Sequence, residues 1–219
     1  MTGYIQEDID PAELVRRTAV ARELADDVRA LVAATVVTDV DDGIVVEVRR
    51  HLAAARSILE TKRIDGAFGV RFNSDGTKRA WGNAVVGERN PIAPPVDLEH
   101  DGERAWSEFE LGPQYEGPAG LVHGGVIALI LDQVLGSAAE HAGVPGMTGT
   151  LTVRYVRGTP LGAVRVDARL DRVEGIKSFV TGELSTDTGV CAQAEGIFIL
   201  PRWARGEVSD QLRRSVGES

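Results

Sequence analysis

The chain contains a single cysteine, Cys191, among its 219 residues. One thiol cannot form an internal disulfide, so this is not a disulfide-stapled secreted domain. Cys191 shares its predicted strand with Ala192 and Ala194, and no histidine signal lies near it in the sequence. We therefore predict a small buried core residue and not a thiol nucleophile.

Long apolar runs and targeting segments are also missing. No stretch approaches the roughly 18 apolar residues that a membrane span needs, and Asp132 interrupts the most apolar pattern. The first residues, MTGYIQEDIDPAEL, are polar and acidic, unlike the basic start and apolar centre of a signal peptide. These absences predict a cytoplasmic protein without membrane insertion.

The chain contains fewer basic than acidic residues. The 24 Lys and Arg residues are outnumbered by 33 Asp and Glu residues, which gives a net charge of −9. Such a surface does not attract nucleic acid or anionic membranes broadly, so no nucleic-acid partner is predicted. An anionic ligand would need a local group of basic side chains. Hydrophobic residues at 43% and charged residues at 26% predict a folded globular chain with a sizeable core.

Several chemical motifs are absent. The sequence has no G-x-G-x-x-G or P-loop pattern, and no G-x-S-x-G, which disfavours the α/β-hydrolase route to ester cleavage. His51, His100 and His141 are scattered without the spacing of metal ligands, so no metal is predicted.

Residues 1–63 predict a helical hairpin. Asp10 is suited to cap a helix that starts at Pro11, and apolar residues then recur at helical spacing. A second helical pattern follows the turn signal Asp41-Asp42-Gly43. The apolar stripes of both helices need a cover, either the rest of the chain or a sister subunit.

The remaining chain divides into three parts. Turn signals are frequent in residues 64–95, and this pattern predicts a linking segment with one short strand near 84–86. The polar composition of residues 204–219 predicts a polar tail. Residues 96–203 predict a folded domain with short hairpin links at 158–162, 174–175 and 187–189. Its predicted elements are a strand at 104–111, a helix at 125–142, and strands at 147–156, 163–173, 178–186 and 190–200.

The helix at 125–142 is apolar almost all round, which predicts burial on most sides. One antiparallel sheet wrapped around a long buried helix satisfies this pattern. We therefore predict an α+β protein with the hotdog fold and an N-terminal helical extension.

Asp132 lies in the middle of this apolar helix. A buried carboxylate costs several kcal/mol unless it is hydrogen-bonded, paired or placed at a cleft. It either contacts a nearby backbone group or an arginine, or it does chemistry. Gly124 and Gly125 precede it at the helix start, where bare backbone N–H groups and the helix dipole can hold a developing oxyanion. His123 can act as a base, but it more often orients such a loop.

About 12 Å of helix rise separates the glycine pair from Asp132. The two cannot act on one carbonyl group within a single chain. A dimer in which the helix start of one subunit faces Asp132 of the other resolves the problem, with two composite sites per pair.

The segment GLVHGGVIALILDQVLG resembles the signature of PaaI-type hotdog thioesterases. The run from Pro145 to Leu184 resembles the branch that includes the mammalian carboxyl-terminal modulator protein and long-chain acyl-CoA thioesterases. The resemblance covers about residues 100–200. It implies hydrolysis of acyl-CoA to free acid and CoA without a cofactor, in a homodimer or a dimer of dimers.

The resemblance also implies individual roles. Asp132 activates water or attacks the thioester carbonyl, Gly124 and Gly125 polarise that carbonyl, His123 positions the loop, and Thr148 helps hold the water or the carboxylate. Many PaaI-type enzymes carry Asn where this chain has Gly117. Tyr115 or Glu116 are the candidates to compensate.

Arg154, Arg157 and Lys177 are the candidate contacts for the CoA phosphates, since the family places basic residues in these two segments. Each is otherwise an ordinary solvated charge at a strand end. Two other functions compete with hydrolysis. One is a non-catalytic acyl-CoA-binding or partner-docking protein that uses the helical hairpin. The other, ranked lower, is an acyl thioester hydratase, which usually carries Asp and His close together at the helix start.

Overall fold

The structure is a computed structural model that describes residues 4–202. The predicted polar tail at 204–219 lies outside these residues. Within the described range, no helix is both long enough and apolar enough to cross a membrane.

The N-terminal extension begins with strand β1 (Tyr4–Gln6), followed by helices α1 (Pro11–Val37) and α2 (Asp42–Leu59). The predicted cap is confirmed, because the Asp10 side chain accepts hydrogen bonds from the backbone N–H groups of Ala12 and Glu13 at 2.9 and 3.3 Å. The helical extension is therefore confirmed as well.

The two helices bury little of their apolar surface in the single chain. Ala25 is the buried residue of α1, and no residue of α2 is buried. The apolar side chains of α2 that we expected to be covered are exposed in the single chain, Val45, Val48, Leu52 and Leu59 among them. That residues 1–63 act as a separate unit stays a prediction.

Residues 64–95 carry two short strands, β2 (Val70–Phe72) and β3 (Lys78–Arg79), which form a small sheet with β1. The predicted strand at 84–86 is wrong. The Asn83 side-chain oxygen accepts hydrogen bonds from the backbone N–H groups of Val85 and Val86 at 2.7 and 3.0 Å. This local turn takes up the donors that a strand would offer to a neighbour.

The main sheet contains six antiparallel strands in the order β4-β5-β7-β8-β9-β6. Helix α3 (Gly124–His141) follows the second of these strands, after a short 3-10 turn at Pro113–Tyr115. The strand bounds are β4 (Glu99–Asp101), β5 (Arg104–Leu111), β6 (Met147–Tyr155), β7 (Gly162–Glu174), β8 (Lys177–Thr186) and β9 (Gly189–Ile199).

The link at 158–162 is not a hairpin, which corrects the sequence prediction. Strand β6 pairs with β9 at one edge of the sheet, and the chain then crosses over to place β7 beside β5. The crossing segment is held by the loop before α3, where the Val122 N–H donates to the Thr159 carbonyl at 2.8 Å. The other two links are hairpins as predicted.

The core lies between α3 and the concave face of the sheet. The helix contacts β5, β6, β7, β8 and β9, and it buries seven apolar residues, from Ile127 to Ala139, against them. Cys191 is fully buried in the same cluster, as predicted. One antiparallel sheet wrapped around one long helix is the hotdog fold, so the predicted fold is confirmed.

Candidate active site

One face of α3 is left open by the sheet. Gly125 and Leu129 are exposed and Asp132 is half-buried, and these positions follow each other at helical spacing on one side. Leu129 keeps 41% of its surface accessible, although its neighbours Ile130 and Leu131 are fully buried. The helix is therefore buried on most sides, as predicted, and open along the stripe that carries Asp132.

The carboxylate of Asp132 is held by a hydroxyl group of β6. Thr148 Oγ1 donates a hydrogen bond to Asp132 Oδ1 at 2.8 Å, close to an irregularity in the pairing of β6 with β9. Within residues 4–202 no Lys or Arg lies within ion-pair distance of this carboxylate. The structure thus brings together Asp132 and Thr148, which stand 16 residues apart.

The two glycines at the helix start differ in their hydrogen bonding. The Gly125 N–H donates to His123 Nδ1 at 2.9 Å, so the histidine caps the helix and a neutral ring carries its proton on Nε2. Gly124 is the first helical residue, and no acceptor for its N–H is found in the described part of the chain. The free donor at the helix start is therefore that of Gly124.

Tyr155, which was not predicted as a site residue from the sequence, holds the glycine-rich loop at the start of α3 in place. Its hydroxyl donates to the Gly124 carbonyl at 2.7 Å. Its ring lies so close that a Cβ atom on Gly124 would approach the Tyr155 ring to 3.3 Å. Because the contact joins residues 31 positions apart on different elements, no sequence signal points to it.

The backbone of His123 passes so close to Gly117 that a residue with a side chain does not fit there. A Cβ atom there would lie 2.7 Å from His123 Cα, so the asparagine that the family resemblance implies does not fit without a backbone shift. The neighbouring candidates have other partners. Tyr115 is buried, its hydroxyl donates to the Ala93 carbonyl at 3.2 Å, and burial raises its pKa. Glu116 accepts a hydrogen bond from the Gly120 N–H.

The three candidate CoA cations do not form one group in a single chain. Arg157 binds the β8–β9 hairpin, where its guanidinium donates to the carbonyl groups of Val190 and Gly189 and to the Thr186 hydroxyl. Arg154 lies on the convex face of the sheet, in a groove it shares with Thr152 and Gln193.

Lys177 lies at the opposite end of the sheet. It pairs with Ile199, which in turn pairs with Met147 at the start of β6, whereas Arg154 and Arg157 lie at the end of that strand. About 23 Å of strand separates Thr148 from Tyr155. The carboxylate and Lys177 thus lie near one end of the sheet, and the glycine loop and the two arginines near the other.

These features define a hotdog protein whose central helix carries a hydroxyl-supported carboxylate and a glycine-rich start. A sequence profile described as the thioesterase superfamily matches residues 119–192. The crystal structure of a protein described as a thioesterase superfamily protein is 34% identical, covers 82% of this chain and 90% of its own, and superposes with a TM-score of 0.74. The chain therefore belongs to the thioesterase superfamily, which confirms the predicted resemblance at that level.

Curated relatives match the chain over a shorter range. Acyl-coenzyme A thioesterase THEM4 of Xenopus laevis is 36% identical over 94 residues, which is 42% of this chain and 42% of the relative. THEM4 of Mus musculus is 35% identical over 100 residues, 44% of this chain and 43% of the relative. Acyl-coenzyme A thioesterase THEM5 of Homo sapiens is 30% identical over 94 residues, which is 42% of this chain and 38% of the relative. The match thus spans about two fifths of these relatives.

Proposed function

We propose that this chain hydrolyses acyl-CoA thioesters to a free acid and CoA. The observation that carries the proposal is the Asp132 carboxylate, held by Thr148 on the open stripe of an otherwise buried helix. A carboxylate on an apolar, largely buried helix lowers the stability of the fold. A catalytic role explains why the chain has one there. Membership of the superfamily and the names of the curated relatives support the same activity.

In the proposed reaction, Thr148 occupies Asp132 Oδ1 and leaves the other carboxylate oxygen for the nucleophile. Asp132 removes a proton from water, and the resulting hydroxide adds to the thioester carbonyl carbon. Alternatively, the carboxylate itself attacks, and water then cleaves the anhydride. The Gly124 N–H and the helix dipole stabilise the oxyanion until the C–S bond breaks and CoA leaves as the thiolate. Water is the co-reactant, so we expect no cofactor.

We further propose a homodimer with composite sites, either alone or as a dimer of dimers. Strand β6 is the long free edge of the sheet, and Met147, Tyr155 and Leu129 expose apolar surface beside it. Antiparallel pairing of two β6 strands reverses one relative to the other. The glycine loop of one chain then faces the carboxylate of its partner, and Lys177 of one approaches Arg157 of the other.

The first test is release of CoA from a panel of acyl-CoAs, from short to long chains and including phenylacetyl-CoA. We expect the Asp132→Asn variant to lose about a thousandfold in kcat, because it cannot accept the proton, while CoA binding stays near the wild-type level. Asp187→Asn, in the β8–β9 turn, is the matched control and should remain fully active. Retained turnover in Asp132→Asn would remove the aspartate from the mechanism.

Subunit mixing tests the composite site. Gly124→Val places a side chain against Tyr155 and obstructs access of the thioester carbonyl to the helix start, and Asp132→Asn removes the carboxylate. Each variant alone should be inactive. Co-refolded dimers should regain about a quarter of the wild-type sites, because half are mixed and each mixed dimer has one intact site. A mixture as inactive as its parents would argue that both groups act within one chain.

The second candidate is a non-catalytic acyl-CoA-binding or docking protein in the cytoplasm. Gly117 in place of asparagine and the uncovered stripe of α2 favour it. No turnover on any acyl chain, together with measurable CoA binding, would establish this alternative. A hydratase fits less well, since the acid of α3 lies two turns inside the helix.

A further inference from the structure

A groove in the N-terminal extension collects basic side chains. It lies between α1, the segment 59–71 and the segment 79–89, and it has a volume of about 640 Å³. Seven of its lining residues are Lys or Arg, and one, Glu7, is acidic. In a chain of net charge −9, this basic groove concentrates nearly a third of the 24 basic residues.

The acidic partners of these residues are too few to neutralise them. Arg16 and Arg17 share the carboxylate of Glu13, and Arg71 and Arg79 share that of Glu7. Each pair leaves one positive charge in excess.

Three further cations, Lys62, Arg63 and Arg89, have no ion-pair partner between residues 4 and 202. Arg89 lies over the Phe68 ring at 5.5 Å from its centre, which positions the guanidinium without neutralising it. The groove therefore has a strong local excess of positive charge.

Two arginines that line the groove each have one N–H donor without an acceptor. Arg79 is 2% exposed, and its Nε has no hydrogen-bond acceptor within the described residues; the same holds for Nε of Arg71. A buried donor without an acceptor is unfavourable, and in native proteins it usually has a partner such as an ordered water molecule or an ion. These two arginines therefore add positive charge to the wall of the groove.

We propose that the basic groove binds a small ligand that carries two or more linked phosphate groups. Clustered arginines with free N–H donors match phosphate oxygens in charge and geometry. The volume of about 640 Å³ suits a small ligand. None of the lining residues belongs to the Asp132–Thr148 pair or the glycine loop, so the proposal does not rest on thioester hydrolysis.

The test is calorimetric titration of the full chain with sodium tripolyphosphate at low salt. Lys62→Glu combined with Arg63→Glu reverses two exposed, unpaired charges and should weaken binding at least tenfold. Arg49→Glu combined with Arg50→Glu makes the same change of charge on α2, outside the groove, and should alter affinity less than twofold. No saturable binding, an equal loss in both double variants, or binding of duplex DNA but not of triphosphate would overturn the proposal.

Competition with CoA identifies the source of the phosphates. If CoA displaces tripolyphosphate, and the Lys62 and Arg63 double variant raises KM for acyl-CoA with kcat unchanged, the groove holds the nucleotide part of the substrate. If tripolyphosphate stays bound in the presence of CoA, the ligand is a separate phosphorylated metabolite. Both results support a phosphate site, and neither depends on whether Asp132→Asn is inactive.

Discussion

The hydroxyl of Thr148 provides the one hydrogen bond to Asp132 from another element of the described chain. Hydrogen bonds to a charged group contribute about 1.5–3 kcal/mol, and in the proposed mechanism this one leaves the other carboxylate oxygen for the nucleophile. We expect Thr148→Val to lower kcat about 10- to 100-fold with little change in KM. Steady-state kinetics beside Thr152→Val, on the convex face of the same strand, checks this. Equal kcat values for the two variants would contradict it.

Gly117 lies at a position where the backbone leaves no room for a side chain such as asparagine. The Cβ of any side chain would press on His123 Cα, a backbone atom that cannot rotate away. We expect Gly117→Asn to lower the free energy of unfolding by about 1–3 kcal/mol and not to raise activity. Urea denaturation measures the first effect. Gly43→Asn, at a site with open space, is the control; a more active and equally stable Gly117→Asn would refute the steric argument.

Asp132 and the glycine pair were predictable from the sequence because each is locally anomalous. A carboxylate in an apolar helix and two glycines at a helix start need no knowledge of contacts. Tyr155 and the different use of the two glycine N–H groups were not predictable. Both depend on how a strand far along the chain lies against the helix start.

Among the secondary-structure elements, the β8–β9 hairpin depends on a residue outside it. Arg157 bridges its two strands through backbone carbonyls and a hydroxyl. We expect Arg157→Ala to destabilise the fold by about 1–2 kcal/mol, reduced from the buried value because the guanidinium is exposed. Thermal and urea unfolding measure the loss.

Arg154→Ala, three residues before Arg157 in the sequence and exposed, is the control and should leave stability unchanged. A variant Arg157→Ala with wild-type stability and a raised KM for acyl-CoA would instead support the CoA contact that the family resemblance implies.

Element positions followed closely from periodicity and turn residues. The four C-terminal strands differ from their predicted bounds by at most one residue at each end, since alternation and glycine turns are local signals. The predicted strand at 84–86 failed because the Asn83 side chain competes for the backbone donors. The hairpin predicted at 158–162 was wrong because turn residues indicate that the chain bends there. They do not indicate which strand the next one pairs with.

At the scale of the whole molecule, Glu7 links the N-terminal strand to a distant segment of the chain. It follows β1 and forms an ion pair with Arg71 of β2. A hydrogen bond from Arg71 is the largest influence on this carboxyl group and lowers its pKa below the ordinary 4.5, against the opposing effect of burial. A lowered folded-state pKa stabilises the fold above the unfolded value, and this contribution is lost as pH falls through the folded pKa.

We therefore expect Glu7→Gln to be less stable than the wild type near neutral pH, with the difference shrinking as pH falls below about 4.5. Urea midpoints across the range from about pH 7 to pH 3 measure this. Glu103→Gln, an exposed carboxylate in the β4–β5 turn with no ion pair among residues 4–202, is the control. A constant difference between Glu7→Gln and the wild type at all pH values would show that the charge of Glu7 is not the cause.

The sequence by itself determined the class of fold, the helical extension, and the catalytic candidate, because hydrophobic period, capping residues and an anomalous charge are written in neighbouring positions. The tertiary structure alone decided three things: which strand forms the free edge, which cations lie together, and why Gly117 is a glycine. The candidate cations for CoA separated to opposite ends of the sheet, while basic residues scattered from 16 to 89 met in one groove. Each of these outcomes rests on contacts between distant segments, whose geometry is fixed only when the whole core packs.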